Sequence, residues 1–172
     1  MQRASFADME CPIARAAEEV GEGWSLLILR NAFLGARTFQ EFEERLGIVA
    51  STLARRLAAL CERGLLVRRQ YQSKPARDEY VLSEKGLDLL PVLMALAAWG
   101  NRWLARDGAW LVPVDLESGA PIEPILVDRR TARPLRAGDI GLVAGPGASK
   151  ELRRALRAPV ALGSRAAREA SR

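Results

Sequence analysis

The chain has 172 residues, nearly half of them hydrophobic, with a formal net charge of +5 and an isoelectric point near 9.9. That length holds one domain and a small appendage. It carries no histidine and only two cysteines, Cys11 and Cys61, which excludes histidine triads, histidine metal ligation and histidine pH switching, and leaves too few thiolates for a structural zinc site.

The opening MQRASFADMECP lacks the apolar core of a signal peptide. Residues 11–20 predict a first helix, with Cys11 at the N-cap and Pro12 at the first helical position, where its missing N–H costs nothing. Residues 24–34 predict a second, strongly apolar helix closed by Gly35. Residues 38–46 predict a third: Thr38 and Glu41 make a T-x-x-E capping box, Phe39, Phe42 and Leu46 form the inner face, and Gly47 ends it. Residues 50–63 predict a fourth, with Leu53, Leu57 and Leu60 at helical spacing and Gly64 as its stop. The period then changes. Residues 65–71 read as a strand, 73–78 as a turn and 79–82 as a returning strand. Ser83 opens a fifth helix that runs to about residue 104, and Pro91 inside it should bend it or break it in two.

Beyond Asp107 the texture changes. Residues 109–114 and 124–127 look like short strands, 128–141 are turn-rich, 145–149 form a loop and 150–157 a basic helix. The Ala/Arg/Ser-rich residues 158–172 read as a flexible tail. The longest apolar run, 89–99, is too short to span a bilayer. Two cysteines make a poor disulfide framework, which favours a reducing cytoplasm.

The charge is unevenly placed. Residues 1–104 hold 14 basic and 13 acidic side chains, yet the stretch 53–77 alone holds seven basic residues (Arg55, Arg56, Arg63, Arg68, Arg69, Lys74, Arg77) against one acidic, Glu62. A basic helix followed by a basic-tipped hairpin suggests a surface that meets phosphate. Three helices, a hairpin and a further helix are the parts of a winged helix-turn-helix, in which the second helix of the pair enters the major groove. The expected fold is therefore mainly α with a β-wing over residues 1–104, a small β-rich extension over 105–157 and the tail.

On a helical wheel Ser51, Thr52, Arg55 and Ala59 face away from the leucine stripe, and small residues there let the helix sit deep. Arg55 is the candidate for a base contact, since Arg can hold guanine O6 and N7 together. Arg56 on the flank suits a phosphate. Lys74 and Arg77 at the hairpin tip would reach the backbone or the minor groove, and Arg69 on the first strand completes the candidate set. The bland alternative is an ordinary solvated face, and the competing function is a winged helix used as a protein-interaction or dimerisation module, its arginines paired with acidic partner residues. An enzyme is poorly supported: no nucleophile has a histidine base, and no carboxylate pair stands out.

The motifs CPIARA, GWSLLILRNAFLGARTFQEF, GIVASTLARRLAALCERGLLVRRQY and PARDEYVLSEKG, followed by a helix containing Trp99, resemble the HxlR family of bacterial winged-helix transcription regulators over roughly residues 10–104. Pro75, Tyr80, Leu82, Lys85, Gly86 and Trp99 fall in the family's order and spacing. The resemblance implies a cytoplasmic homodimer on inverted-repeat double-stranded DNA, paired through the first and last helices of the domain, with repression the expected sign. It also implies base readout by the helix from Ala50, phosphate contact by Arg56, and a wing at 74–77. One departure is Gly23, where members commonly carry Lys before the tryptophan, here Trp24. Some members sense oxidants through a cysteine at the position of Cys11, making it a candidate redox sensor; the alternative is a small buried cap residue. Cys61 reads as core. Trp99 and Trp103 could line a small-molecule effector pocket, though core or dimer packing is the weightier reading, and Trp24 reads as core. Some members' extensions carry Cys-x-x-Cys pairs; this one has none, so no zinc and no cofactor is expected. The extension could cover the dimer or shape a ligand site.

Overall fold

Leu53, Leu57 and Leu60 recur at intervals of three and four residues, so a helix brings them to one side. In the computed structural model, which describes residues 5–162, all three are buried. Around them close Ile28 and Leu29 from the second helix, Phe42 from the third, Ile48 from the turn, and Leu65 and Leu66 where the chain leaves the fourth helix.

The helices are α1 (Pro12–Val20), α2 (Gly23–Phe33), α3 (Phe39–Leu46) and α4 (Ala50–Glu62). Cys11 is the N-cap of α1, with Pro12 inside its first turn. The capping box at α3 forms in full. Thr38 Oγ1 accepts from the Glu41 N–H at 3.3 Å, and Glu41 Oε2 accepts from the N–H groups of Thr38 (2.9 Å) and Arg37 (2.7 Å). Gly47 ends α3 at φ +59°, a left-handed conformation that glycine adopts without strain. The turn Gly47-Ile48-Val49 then leads into α4, and α3 and α4 form the helix-turn-helix pair.

The hairpin consists of β1 (Leu66–Ser73) and β2 (Ala76–Leu82), antiparallel, with Leu66 opposite Leu82, Arg68 opposite Tyr80 and Arg69 opposite Glu79. The register slips between Gln70 and Gln72, which bulges Tyr71 out of the ladder. The reversal is tighter than the expected six-residue turn. Lys74 and Pro75, joined by a cis peptide bond, make it alone. Ala76, Arg77 and Asp78 read as turn residues by composition, yet they continue the ladder because their cross-strand partners are present. The root of the hairpin is docked: the Tyr80 N–H donates to the Arg37 carbonyl at 2.7 Å, and the Tyr80 ring meets Phe42 edge-on at 6.4 Å.

The fifth helix is two pieces, α5 (Glu84–Leu87) and α6 (Leu90–Trp103). Pro91 has no N–H to give the Leu87 carbonyl, so the break falls just before it, at Asp88 and Leu89, and Pro91 lies in the first turn of α6. Ser83 caps α5, accepting from the Gly86 N–H at 3.0 Å and donating to the Gly64 carbonyl at 2.6 Å.

By internal contacts the chain divides inside α6, into Met1–Ala97 and Ala98–Arg172. The second unit corrects the sequence reading in detail. Residues 109–114 and 124–127 do not form strands; they contribute isolated bridges, Val114 with Pro121 and Val127 with Pro134. Pro113, Pro121 and Pro124 remove ladder donors, and aspartate turns take over. Asp115 Oδ1 accepts from the Ser118 N–H at 2.8 Å, and Asp128 Oδ1 from the Arg130 N–H at 2.9 Å. The regular strands lie elsewhere, β3 (Gly141–Leu142) pairing with β4 (Val160–Ala161), and α7 (Lys150–Ala155) lies between them in sequence. Thus 160–161, expected in the tail, are strand, while 163–172 of that tail lie outside the described residues.

Candidate nucleic-acid interface

With the leucines turned inward, α4 presents Ser51, Ala54, Arg55 and Ala58 to solvent, and Thr52 and Ala59 at its half-buried flank. Three of those four exposed positions carry small side chains, so nothing beside Arg55 holds a flat surface away from the helix backbone. The N-cap is Val49, which has no side-chain acceptor for the first N–H groups. That end of α4 keeps its positive dipole for an anion such as a phosphate oxygen.

The basic residues of 53–77 separate into two kinds. Arg56, expected on a phosphate, is turned inward: its Nη2 lies 2.6 Å from Glu22 Oε2 at the start of α2, and its side chain is only 18% exposed. Arg63 Nη1 donates to the Glu19 carbonyl at 2.7 Å, tying the end of α4 to α1. Arg68 Nε donates to Asp78 Oδ2 at 2.9 Å across the hairpin; that bond and the aspartate's charge hold the guanidinium further above its already high range. Arg56 and Arg63 brace the scaffold, while Arg68, itself exposed, is paired within the hairpin. Arg55, Arg69, Lys74 and Arg77 are exposed. Arg69 stands across from Glu79, whose carboxylate lies 3.6 Å from Arg37 Nη1. Arg37 is a cation the sequence reading missed. It lies outside the dense basic stretch, and only the docking of β2 beside the α2–α3 connection brings it to the hairpin.

The two thiols differ. Burial pushes the Cys61 thiol up, and nearby Arg68 offsets this only in part, as suits a small side chain packed against the core. Cys11 is half-buried at the N-cap of α1, its side chain making no cap hydrogen bond. Trp24 is over a third exposed rather than core, and Trp99 and Trp103 stand largely in solvent on α6, with the Arg102 guanidinium 5.1 Å from the Trp103 ring centre. Among the described residues no group of acidic or cysteine side chains is arranged to hold a metal ion, and no helix is long and apolar enough to cross a membrane.

A helix-turn-helix pair with a small, arginine-bearing outer face and a docked, basic-tipped hairpin defines a winged-helix DNA-binding protein. Sequence comparison narrows the class. The model of the HxlR-like helix-turn-helix family matches residues 19–108, and the chain belongs to that family. An uncharacterised HTH-type transcriptional regulator of Mycobacterium tuberculosis is 38% identical over 143 residues, covering 81% of this chain and 89% of that one. Among solved structures, PA1607 superposes with a TM-score of 0.75 at 35% identity, covering 83% of this chain and all of that chain. The redox regulator HypR in its reduced form superposes with a TM-score of 0.52 at 26% identity, over 55% of this chain and 97% of that chain. The protein is an HTH-type transcriptional regulator.

Proposed function

We propose that this regulator acts as a homodimeric, sequence-specific repressor on an inverted-repeat operator in the cytoplasm. The observation that carries the reading is the outer face of α4, where Arg55 rises between Ser51, Ala54 and Ala58. In this reading Arg55 contacts a base, Ser51 and Thr52 approach the groove floor, and Arg69, Lys74 and Arg77 hold backbone phosphate along the wing. Arg56 steadies α4 from within through Glu22. Exposed apolar side chains on α1 (Ile13) and α6 (Leu96, Trp99) support pairing through those helices. A two-fold pair would set its recognition helices about one duplex turn, ~34 Å, apart.

Regulation by a small effector or by thiol chemistry belongs to the same reading. The half-buried thiol at the α1 N-cap and the likeness to a redox regulator support Cys11 as the sensing group. A helix N-terminus favours thiolate, and modification there would disturb α1 and so the spacing of the two recognition helices.

The test is a mobility shift on the DNA upstream of the chain's own gene, at two salt concentrations, with and without a thiol oxidant. Preference for that DNA over random duplex is expected, with oxidant sensitivity lost in Cys11→Ser. Equal affinity for both duplexes would leave a protein-interaction module as the better description. Unchanged binding of the natural protein under oxidant would remove the thiol from the reading.

A further inference from the structure

From Ala98 to Leu162 the chain is ordered but has no interior. The first unit buries ten hydrophobic side chains, whereas not one described residue of 98–162 is buried. The backbone there is nevertheless pinned. Asp115 N–H donates to Ala120 O at 2.9 Å, Ile122 N–H to Pro113 O at 2.8 Å and Leu135 N–H to Leu126 O at 2.8 Å. These bonds hold Trp110, Leu111, Leu116, Ile125 and Leu126 out into water, with Leu116 98% exposed. Two-stranded pieces are marginal by themselves, and a unit of this size without a core or staples does not stay folded. Its apolar side chains need a cover.

The exposed side chains are many and large. Between residues 109 and 127, nine large apolar side chains are each at least two-fifths exposed. A small ligand touches only a few side chains, whereas a stable protein pair covers about 800 Å² on each partner.

The charge pattern identifies the cover. Residues 109–127, which carry most of the exposed apolar side chains, hold Asp115, Glu117 and Glu123 and no Lys or Arg. Residues 128–157 hold eight basic and three acidic side chains. A two-fold pairing lets the acidic apolar limb of one copy lie on the basic limb of the other, twice over, because such an interface uses the same patch on both subunits. Nucleic acid suits the basic limb but is repelled by the other.

We infer that residues 98–162 form an interaction surface for a second copy of this chain, and that this extension acquires its hydrophobic core only in the dimer. The inference deepens the dimer reading above, since it assigns part of the interface to the extension as well as to α1 and α6.

Sedimentation of the full chain tests it over a concentration series. The natural protein should be a dimer. The double substitution Leu111→Glu, Ile125→Glu should raise its dissociation constant at least tenfold while the helical circular dichroism of the first unit persists. Hydrogen exchange on the natural protein checks the point without any substitution: amides of 110–127 should be protected in the dimer and lose that protection on dilution into monomer. If dimer affinity in the double variant stays within twofold, or if exchange in 110–127 ignores concentration, while Ile13→Glu with Leu96→Glu splits the dimer, the extension is not the interface and the dimer reading survives alone. A natural chain that stays monomeric throughout overturns both.

Discussion

Arg56 Nη2 sits 2.6 Å from Glu22 Oε2, so the middle of α4 is ion-paired to the residue that opens α2. The pair is mostly out of solvent, and each charge has been moved from water to a place where the other compensates it. The leucine stripe sets which side of α4 faces the core, and this pair ties the flank next to Arg55 to the start of α2. Glu22→Gln should destabilise the protein by about 1–3 kcal/mol, between the surface and buried limits for such pairs. It should also release a cation near the recognition face, raising affinity for random DNA and steepening its salt dependence by roughly one phosphate contact. Urea denaturation and a salt series measure both; unchanged stability would show that the pair does not brace α4.

Arg55→Ala isolates the base contact. The side chain is exposed, so stability should change by less than about 0.5 kcal/mol. Binding to operator should weaken by roughly 1–3 kcal/mol while binding to random duplex changes far less. An equal loss on both duplexes would reassign Arg55 to phosphate.

Lys74→Ala should behave in the opposite way. A cation at the hairpin tip that meets backbone carries no sequence information, so operator and random DNA should weaken alike and the log–log salt slope should fall by roughly 1. Selective loss on the operator would instead place the wing tip on bases.

The α3 cap gives a pH signature. The Thr38 and Arg37 N–H groups hydrogen-bond the Glu41 carboxylate and hold its pKa below the ordinary glutamate value. The unfolded chain therefore takes up this proton first as pH falls. The stabilisation is present in full above the unfolded pKa and is lost as pH drops through the folded one. Glu41→Gln should flatten the thermal stability profile over that acidic interval and leave its slope near neutrality unchanged. An unaltered acid limb would mean that other carboxylates dominate it.

Gly86 is required by close approach. A Cβ at this position would lie 2.2 Å from the Leu65 carbonyl oxygen, the same atom that accepts the Ser83 N–H at 3.1 Å. The obstacle is backbone, so it cannot swing aside. Gly86→Ala should cost about 3 kcal/mol and loosen the joint between hairpin and α5, read as a lower melting temperature and faster amide exchange at Leu65 and Ser83. A neutral substitution would show that the joint can shift.

Much of this protein was decided locally. The T-x-x-E cap at Thr38, the leucine period of α4, the glycine stops at 47 and 64 and the proline at 91 each act within a few residues of chain, so the sequence alone determines the helices, their order and the outer face that carries Arg55. What the tertiary structure decided depends on partners far along the chain. Arg56 and Arg55 are neighbours with the same side chain; the leucine stripe already leaves Arg55 outside, but only the arrival of Glu22, thirty-four residues away, turns the flanking Arg56 inward. Asp78 likewise claims Arg68, and the docking of Tyr80 on Phe42 places Arg37 at the hairpin. In the extension, prolines and aspartate turns break the alternation that reads as strand, and the pairing of 141–142 with 160–161 joins segments too short to carry any periodicity. Long-range charge pairing and backbone closure leave no trace in local spacing, because their energy depends on distances that only the folded chain sets.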